Sequence, residues 1–182
     1  MHILRSQPLR DSRPAGESQW AFGRMGGLPG AAVIVVILAV LGPVQAAMFR
    51  CPAGDVACLI AAIDTANGNG EDDTITLDAG TYTLTAVNND TEGANGLPSI
   101  TSTITITGAG AESTIIERSA SAPWFRLFHV RASGALTLDG LTVRNGRIDL
   151  IEGGAIHNRG ALTVTHSTIA DNIAAAGGAV AL

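Results

Sequence analysis

The sequence predicts an all-β protein, a solenoid of short parallel strands stacked coil on coil, and three observations carry that prediction. Landmarks recur. Ala135-Leu136-Thr137-Leu138 returns 26 residues later as Ala161-Leu162-Thr163-Val164, and Gly153-Gly154-Ala155-Ile156 returns 24 residues later as Gly177-Gly178-Ala179-Val180. A repeat of that length is typical of solenoids, whose units bury their apolar faces only by stacking. Thr also alternates with Ile, Leu or Val at a period of two in several short runs, the mark of half-buried strands. Finally, 22 glycines and only 4% aromatics in a chain that is 46% hydrophobic suit a thin aliphatic core turned repeatedly by tight bends.

The chain opens on a segment that reads as a targeting signal. Arg5, Arg10, Arg13 and Arg24 precede an unbroken apolar run, Ala31 to Leu41, which is followed by Gly42-Pro43 and Val44-Gln45-Ala46. Small residues at that spacing suit signal peptidase, so residues 1–46 are expected to be a signal peptide with a long leader, cut after Ala46. A start at Met25, or an uncleaved anchor drawing on residues from Gly26 to Ala47, are the alternatives. Eleven apolar residues fall short of the roughly twenty a membrane span needs. In each case the arginines stay inside and everything beyond Phe49 is expected outside the cytoplasm. From Ala47 onward, 7 Arg face 14 Asp and Glu, a balance without the basic cluster that phosphates require, so nucleic acid is not an expected partner.

Residues 47–70 read as a capping segment and helix. Cys51 and Cys58 are the only cysteines, and in an exported chain they are expected to form a disulfide. Reduced buried thiols are the alternative; zinc is poorly supported because no His lies nearby in sequence. Asp55 is placed to cap a helix whose Val56, Leu59, Ile60 and Ile63 share one face. Asn67-Gly68-Asn69-Gly70 offers left-handed geometry twice, and the helix is expected to stop at Asn67-Gly68. Its expected task is to cover the apolar end of the first coil.

Residues 71–182 read as the coils. After Glu71-Asp72-Asp73, strands are expected at Thr74-Ile75-Thr76-Leu77 and, past the Asp78-Ala79-Gly80 turn, at Thr81-Tyr82-Thr83-Leu84-Thr85. The rhythm returns at Thr103-Ile104-Thr105-Ile106-Thr107 before Gly108-Ala109-Gly110, at Thr114-Ile115-Ile116-Glu117, and at Leu136-Thr137-Leu138 before Asp139-Gly140-Leu141-Thr142-Val143. Four coils are expected, with Ile75, Ile104, Leu136 and Leu162 as equivalent positions and loops of different size at one corner. Aliphatic residues should point inward and hydroxyls outward. Asp at Leu138 or Val164 should then prevent folding.

The pattern resembles the right-handed parallel β-helix proteins of bacterial cell surfaces, including polymorphic outer membrane proteins and CSLREA-type secreted proteins. The resemblance lies in Cys58-Leu59-Ile60-Ala61-Ala62-Ile63 with Ala66-Asn67, in Asp73-Thr74-Ile75-Thr76-Leu77, in Gly80-Thr81-Tyr82-Thr83-Leu84, and in the Gly-Gly-Ala-Ile units joined by a Leu-Thr-Val strand. The chain departs from the CSLREA motif at Leu59-Ile60-Ala61. The resemblance implies a right-handed parallel β-helix with an N-terminal amphipathic capping helix. Because Gly177-Gly178-Ala179-Val180-Ala181-Leu182 carries a corner motif and no capping segment, the coil array is expected to be incomplete at its C-terminus.

Parallel β-helices also host pectate lyases, related polysaccharide lyases and polygalacturonase-like hydrolases. Lyases of this fold need clustered carboxylates for calcium and a basic residue for proton abstraction. Asp139, Arg144, Arg147, Asp149 and Glu152 are the best such grouping in the sequence, although scattered charge on a solvated exterior accounts for them as well. The hydrolase signatures Asn-Thr-Asp and Gly-His-Gly do not occur, so no acid and base pair of an inverting glycosidase is visible. His157 suits stacking between coils better than catalysis, and His129 and His166 have no neighbouring Ser or Cys to activate. The acidic segments Glu71-Asp72-Asp73 and Asn88-Asn89-Asp90-Thr91-Glu92 read as solvated loops with a weak capacity for calcium, and no metal ligand or cofactor is assigned. Asn89-Asp90-Thr91 is also a glycosylation sequon, relevant only to a eukaryotic secretory pathway. Trp124-Phe125-Arg126-Leu127-Phe128 suits core filling more than sugar stacking.

The function expected from the sequence is that of an exported, non-enzymatic β-helix protein, extracellular or at the bacterial cell surface or outer membrane. It would serve as a rigid stalk, adhesin or passenger segment facing an extracellular glycan or a host surface. The alternative is a carbohydrate-active β-helix enzyme, a lyase or glycoside hydrolase, whose site lies mostly outside this stretch.

Overall fold

The computed structural model describes residues 46–176 and 178–182. The leader expected over 1–46 lies outside them except for Ala46. The described chain enters through strand β1 (Met48–Cys51) and turns into helix α1 (Val56–Asn69). The first coil follows with β2 (Asp72–Leu77) and β3 (Gly80–Leu84), and the second with β4 (Thr103–Thr107), β5 (Thr114–Arg118) and β6 (Phe128–Val130). A third coil comprises β7 (Ala135–Asp139), β8 (Thr142–Arg144), β9 (Arg147–Glu152) and β10 (Ile156–Asn158). The last comprises β11 (Ala161–Thr165), β12 (Thr168–Ala170), β13 (Ile173–Ala176) and β14 (Val180–Ala181).

Strands from successive coils pair in parallel, which is what makes the molecule a parallel β-helix. The sheets run β1-β2-β4-β7-β11, β3-β5-β8-β12, β6-β10-β14 and β9-β13. Both repeats read from the sequence are register partners here, Leu136 with Leu162 and Ile156 with Val180. In the first coil a single bridge, Ile100 to Val130, stands where later coils have a full strand.

Register corrects one equivalence. Ile104, Leu136 and Leu162 share a rung, but their partner in the first coil is Asp73; Ile75 pairs two residues further along, with Ile106. A shift of two keeps each side chain on its own face, so the inward and outward pattern survives it. Ile75, Ile106 and Leu138 form one fully buried ladder, while the intervening threonines stand at the surface. The buried Asp73 is held at the end of the stack by the Ala47 amide (2.7 Å) and Asn69 Nδ2 (3.1 Å), both donating to its Oδ1.

Helix α1 begins as expected: Asp55 accepts a hydrogen bond from the Cys58 amide at 2.9 Å. Its end lies beyond Asn67-Gly68, at Gly70, whose φ of 78° supplies the left-handed stop. Asn67 keeps its helical backbone and uses its side chain across the coil. Its Oδ1 accepts from the Thr101 amide (2.8 Å) and its Nδ2 donates to the Ser99 carbonyl (2.8 Å), tying the helix to the entry of β4. Leu59, Ala62, Ile63 and Ala66 are its buried face, with Val56 and Ile60 partly covered. Cys51 and Cys58 form the disulfide expected of them, with Cα atoms 5.5 Å apart.

Corners close through near-contact of glycines. A Cβ on Gly108 would lie 2.4 Å from the Gly140 carbonyl oxygen, so only glycine lets adjacent coils approach there. In the last coil the inward residues of β11 are more open, and Val164 is 38% exposed. Among the described residues no helix is long and apolar enough to cross a membrane.

Candidate functional site

Three successive coils place polar side chains under one loop. On β6 and β10 the alternate residues Phe128, Val130 and Ile156 enter the core, so His129 and His157 project from the opposite face. They are register partners on neighbouring coils, and their rings stack with centroids 5.5 Å apart and planes 20° from parallel. His157 therefore stacks between coils, as its position in the repeat led us to expect.

The covering loop is the segment between β3 and the Ile100 bridge. Expected as a solvated acidic loop, it is ordered by its own amides. Asn89 Oδ1 accepts from Asn95 Nδ2 (2.9 Å) and the Thr91 amide (3.2 Å), and Asn89 Nδ2 donates to the Leu97 carbonyl (3.0 Å). Asn95 is fully buried and also donates to the carbonyls of Thr91 and Gly93. Asn89 of the sequon thus spends its side-chain amide inside the loop. At the tip Glu92 takes a φ of 55°, a left-handed conformation unusual for a residue with a Cβ. That conformation brings its carboxylate over the histidines.

Glu92 Oε2 lies 3.6 Å from His129 Nε2, 3.8 Å from His157 Nδ1 and 2.5 Å from Arg159 Nε. Arg126, fully buried, donates from Nη2 to the Glu92 carbonyl at 2.9 Å and pins the loop from below. Its Nε and Nη1 have no hydrogen-bond partner, and neither do His129 Nε2 or His157 Nδ1, although all four atoms are cut off from solvent. On its other side His129 Nδ1 meets Ser99 Oγ at 2.9 Å.

Electrostatics follow from this packing. Burial lowers the pKa of both His129 and His157, and the Arg126 charge lowers them further, against the opposing pull of Glu92. Partial desolvation would raise the Glu92 carboxyl, but the charge and hydrogen bond of Arg159 outweigh it and hold the group below its ordinary value. The packing thus favours the uncharged form of both imidazoles and the ionised form of the carboxylate. Two imidazole nitrogens and one carboxylate oxygen suit a divalent transition metal. Among the described residues, this trio has its ligand atoms all within 4.8 Å of one another.

The grouping suggested by sequence proximity is dispersed. Asp139 ends β7 and accepts from Thr165 Oγ1 and pairs with His166 Nδ1, both at 2.8 Å. Arg144 lies on β8, in a different sheet, and pairs with Glu117 of β5 at 2.8 Å. Arg147, Asp149 and Glu152 belong to β9, in yet another sheet; Arg147 stands 3.8 Å from Asp149 and lies over the Trp124 ring, 3.9 Å from its centroid. Phe125, Leu127 and Phe128 fill the core as expected, whereas Trp124 is 48% exposed. The Glu92 site escaped the sequence because its members come from three coils. The one signal was spacing: His129 and His157 are 28 residues apart, close to one coil of the repeat.

Fold and site together define a parallel β-helix with a polar side-chain cluster held between its coils and a loop. No family model, curated protein or solved structure matches the chain.

Proposed function

We propose that this protein is an exported, non-enzymatic β-helix of the bacterial cell surface, a rigid stalk or passenger segment akin to the right-handed β-helix surface proteins it resembles in sequence. The observation that carries the reading is the continuous ladder β1-β2-β4-β7-β11, five parallel strands in unbroken order. Such a ladder stiffens a chain along one axis and presents repeated outer faces for contact with a glycan or a host surface. The apolar run Ala31 to Leu41 after four arginines supports export. Placement of Asp139, Arg144 and the β9 pair Asp149 and Glu152 on three different sheets weighs against a lyase built on them.

Expression of the full chain in a bacterial host, followed by fractionation and N-terminal sequencing, tests this reading. The product should appear at the surface or in the medium with Ala47 at its N-terminus; retention in the cytoplasm would overturn it. Incubation with polygalacturonate should yield no unsaturated uronates, and turnover would overturn the non-enzymatic reading.

A further inference from the structure

We infer that Glu92, His129 and His157 form a binding site for one divalent late first-row transition-metal ion, with zinc(II) as the representative ligand. This inference is independent of surface display and would stand or fall without affecting it.

The first ground is the convergence of three polar atoms that make no hydrogen bond with one another. Ser99 Oγ sits 3.3 Å from Asn89 Oδ1 as well as 2.9 Å from His129 Nδ1. An amide oxygen only accepts, and where the Ser99 hydroxyl gives its proton to Asn89 it receives one from His129 Nδ1. That assignment leaves the lone pair of His129 on Nε2, directed at Glu92 Oε2. His157 Nδ1 is too far from the carboxylate, at 3.8 Å, to donate a hydrogen bond to it. Two buried nitrogens without partners beside a carboxylate are costly unless something positive lies between them.

The second ground is size. Both nitrogens are closed to water. A bare ion needs less room. Tetrahedral zinc with bonds of about 2.1 Å sets its ligand atoms about 3.4 Å apart, and the carboxylate-to-nitrogen separations are 3.6 and 3.8 Å. All three ligand atoms lie within 4.8 Å of one another, so side-chain rotation that draws them together by up to about 1.4 Å closes the site. Three protein ligands would leave the fourth position to a water on the side of Glu92, whose side chain is 40% exposed.

The third ground is support. His129 and His157 are fixed by strand pairing, and a ligating imidazole is ordinarily oriented through its other nitrogen, the part Ser99 plays for His129. Arg126 holds the Glu92 backbone in place. Two cations oppose the ion. Arg159 must release Glu92 Oε2, which its side chain, 58% exposed, can do at small cost. Arg126 stays, and its charge limits affinity while helping to keep the rings unprotonated; Glu152 exerts an opposite influence on His157. Imidazole donors select zinc, nickel, copper or iron(II) over calcium and magnesium, which prefer all-oxygen shells.

The test uses the full chain, stripped with a chelator and titrated with zinc in a calorimeter. One ion per chain should bind, with calcium in excess failing to compete. Glu92→Gln and His157→Gln, each shown to be folded by circular dichroism, should weaken binding at least about tenfold. The double variant His2→Ala, His166→Ala should bind as the parent does. Cobalt(II) on the unmutated chain supplies a readout that needs no variant, since it should shift the ring resonances of His129 and His157. Absence of saturable binding, affinity that survives both Glu92→Gln and His157→Gln, loss in the double variant, or undisturbed His129 and His157 rings would each overturn the inference.

Discussion

Asp139 shows how a single residue acquires a role that its sequence neighbours do not suggest. Hydrogen bonds from His166 and Thr165 hold its carboxyl below the ordinary value of 3.8. A depressed carboxyl contributes stability that is present above the unfolded value and is lost as pH falls through the folded one. The carboxyl carbon of Asp139, followed by NMR, should therefore titrate below the ordinary Asp range, and His166→Ala should move it upward. An unchanged midpoint in that variant would show that the 2.8 Å contact is absent in solution. Capping was legible at this scale: Asp55 announces itself by standing ahead of an apolar helical face. Glu92 was not, because nothing in Asn88-Asn89-Asp90-Thr91-Glu92 reveals that Asn89 and Asn95 fold the loop back onto another coil.

At the scale of strands, the alternation of Thr with aliphatics fixed which side faces inward, and register then decided how deep each residue lies. Leu138 is fully buried between Ile106 and Val164, so Leu138→Asp places an unpaired carboxylate in the core. Losses above about 4 kcal/mol are expected from that mechanism, a large share of the total stability of an ordinary domain, about 5–15 kcal/mol. Soluble yield and urea unfolding should show a chain that does not fold. Val164→Asp should behave differently from the sequence-based expectation. With Val164 38% exposed, a loss of no more than about 1 kcal/mol is expected in the same urea assay. Equivalence of the two residues in the repeat was readable; their unequal cover was not, because cover depends on the coil stacked next. The two-residue offset at Ile75 arose likewise from pattern, since period-two alternation cannot distinguish Ile75 from Asp73 as the partner of Ile104.

For the whole molecule, the order of coils was legible because two landmarks repeat at nearly one interval, while the pocket under the loop depends on contacts that skip from one coil to the next. The disulfide acts at this scale by tying β1 to the first turn of α1. Closing so short a loop contributes about 2–3 kcal/mol in the chain-entropy view. Reductant should lower the urea midpoint accordingly, with the parallel sheets retained by circular dichroism; no change in midpoint would show that the link adds nothing to stability. Asp73 bears on the stack of coils as well. A carboxylate seated where later turns hold Ile104 and Leu136 breaks the aliphatic column at its first step, and the Ala47 and Asn69 donors fasten it there. The aliphatic column thus starts at β4, and a polar group bonded to Ala47 and Asn69 stands between it and the segment that enters before β2.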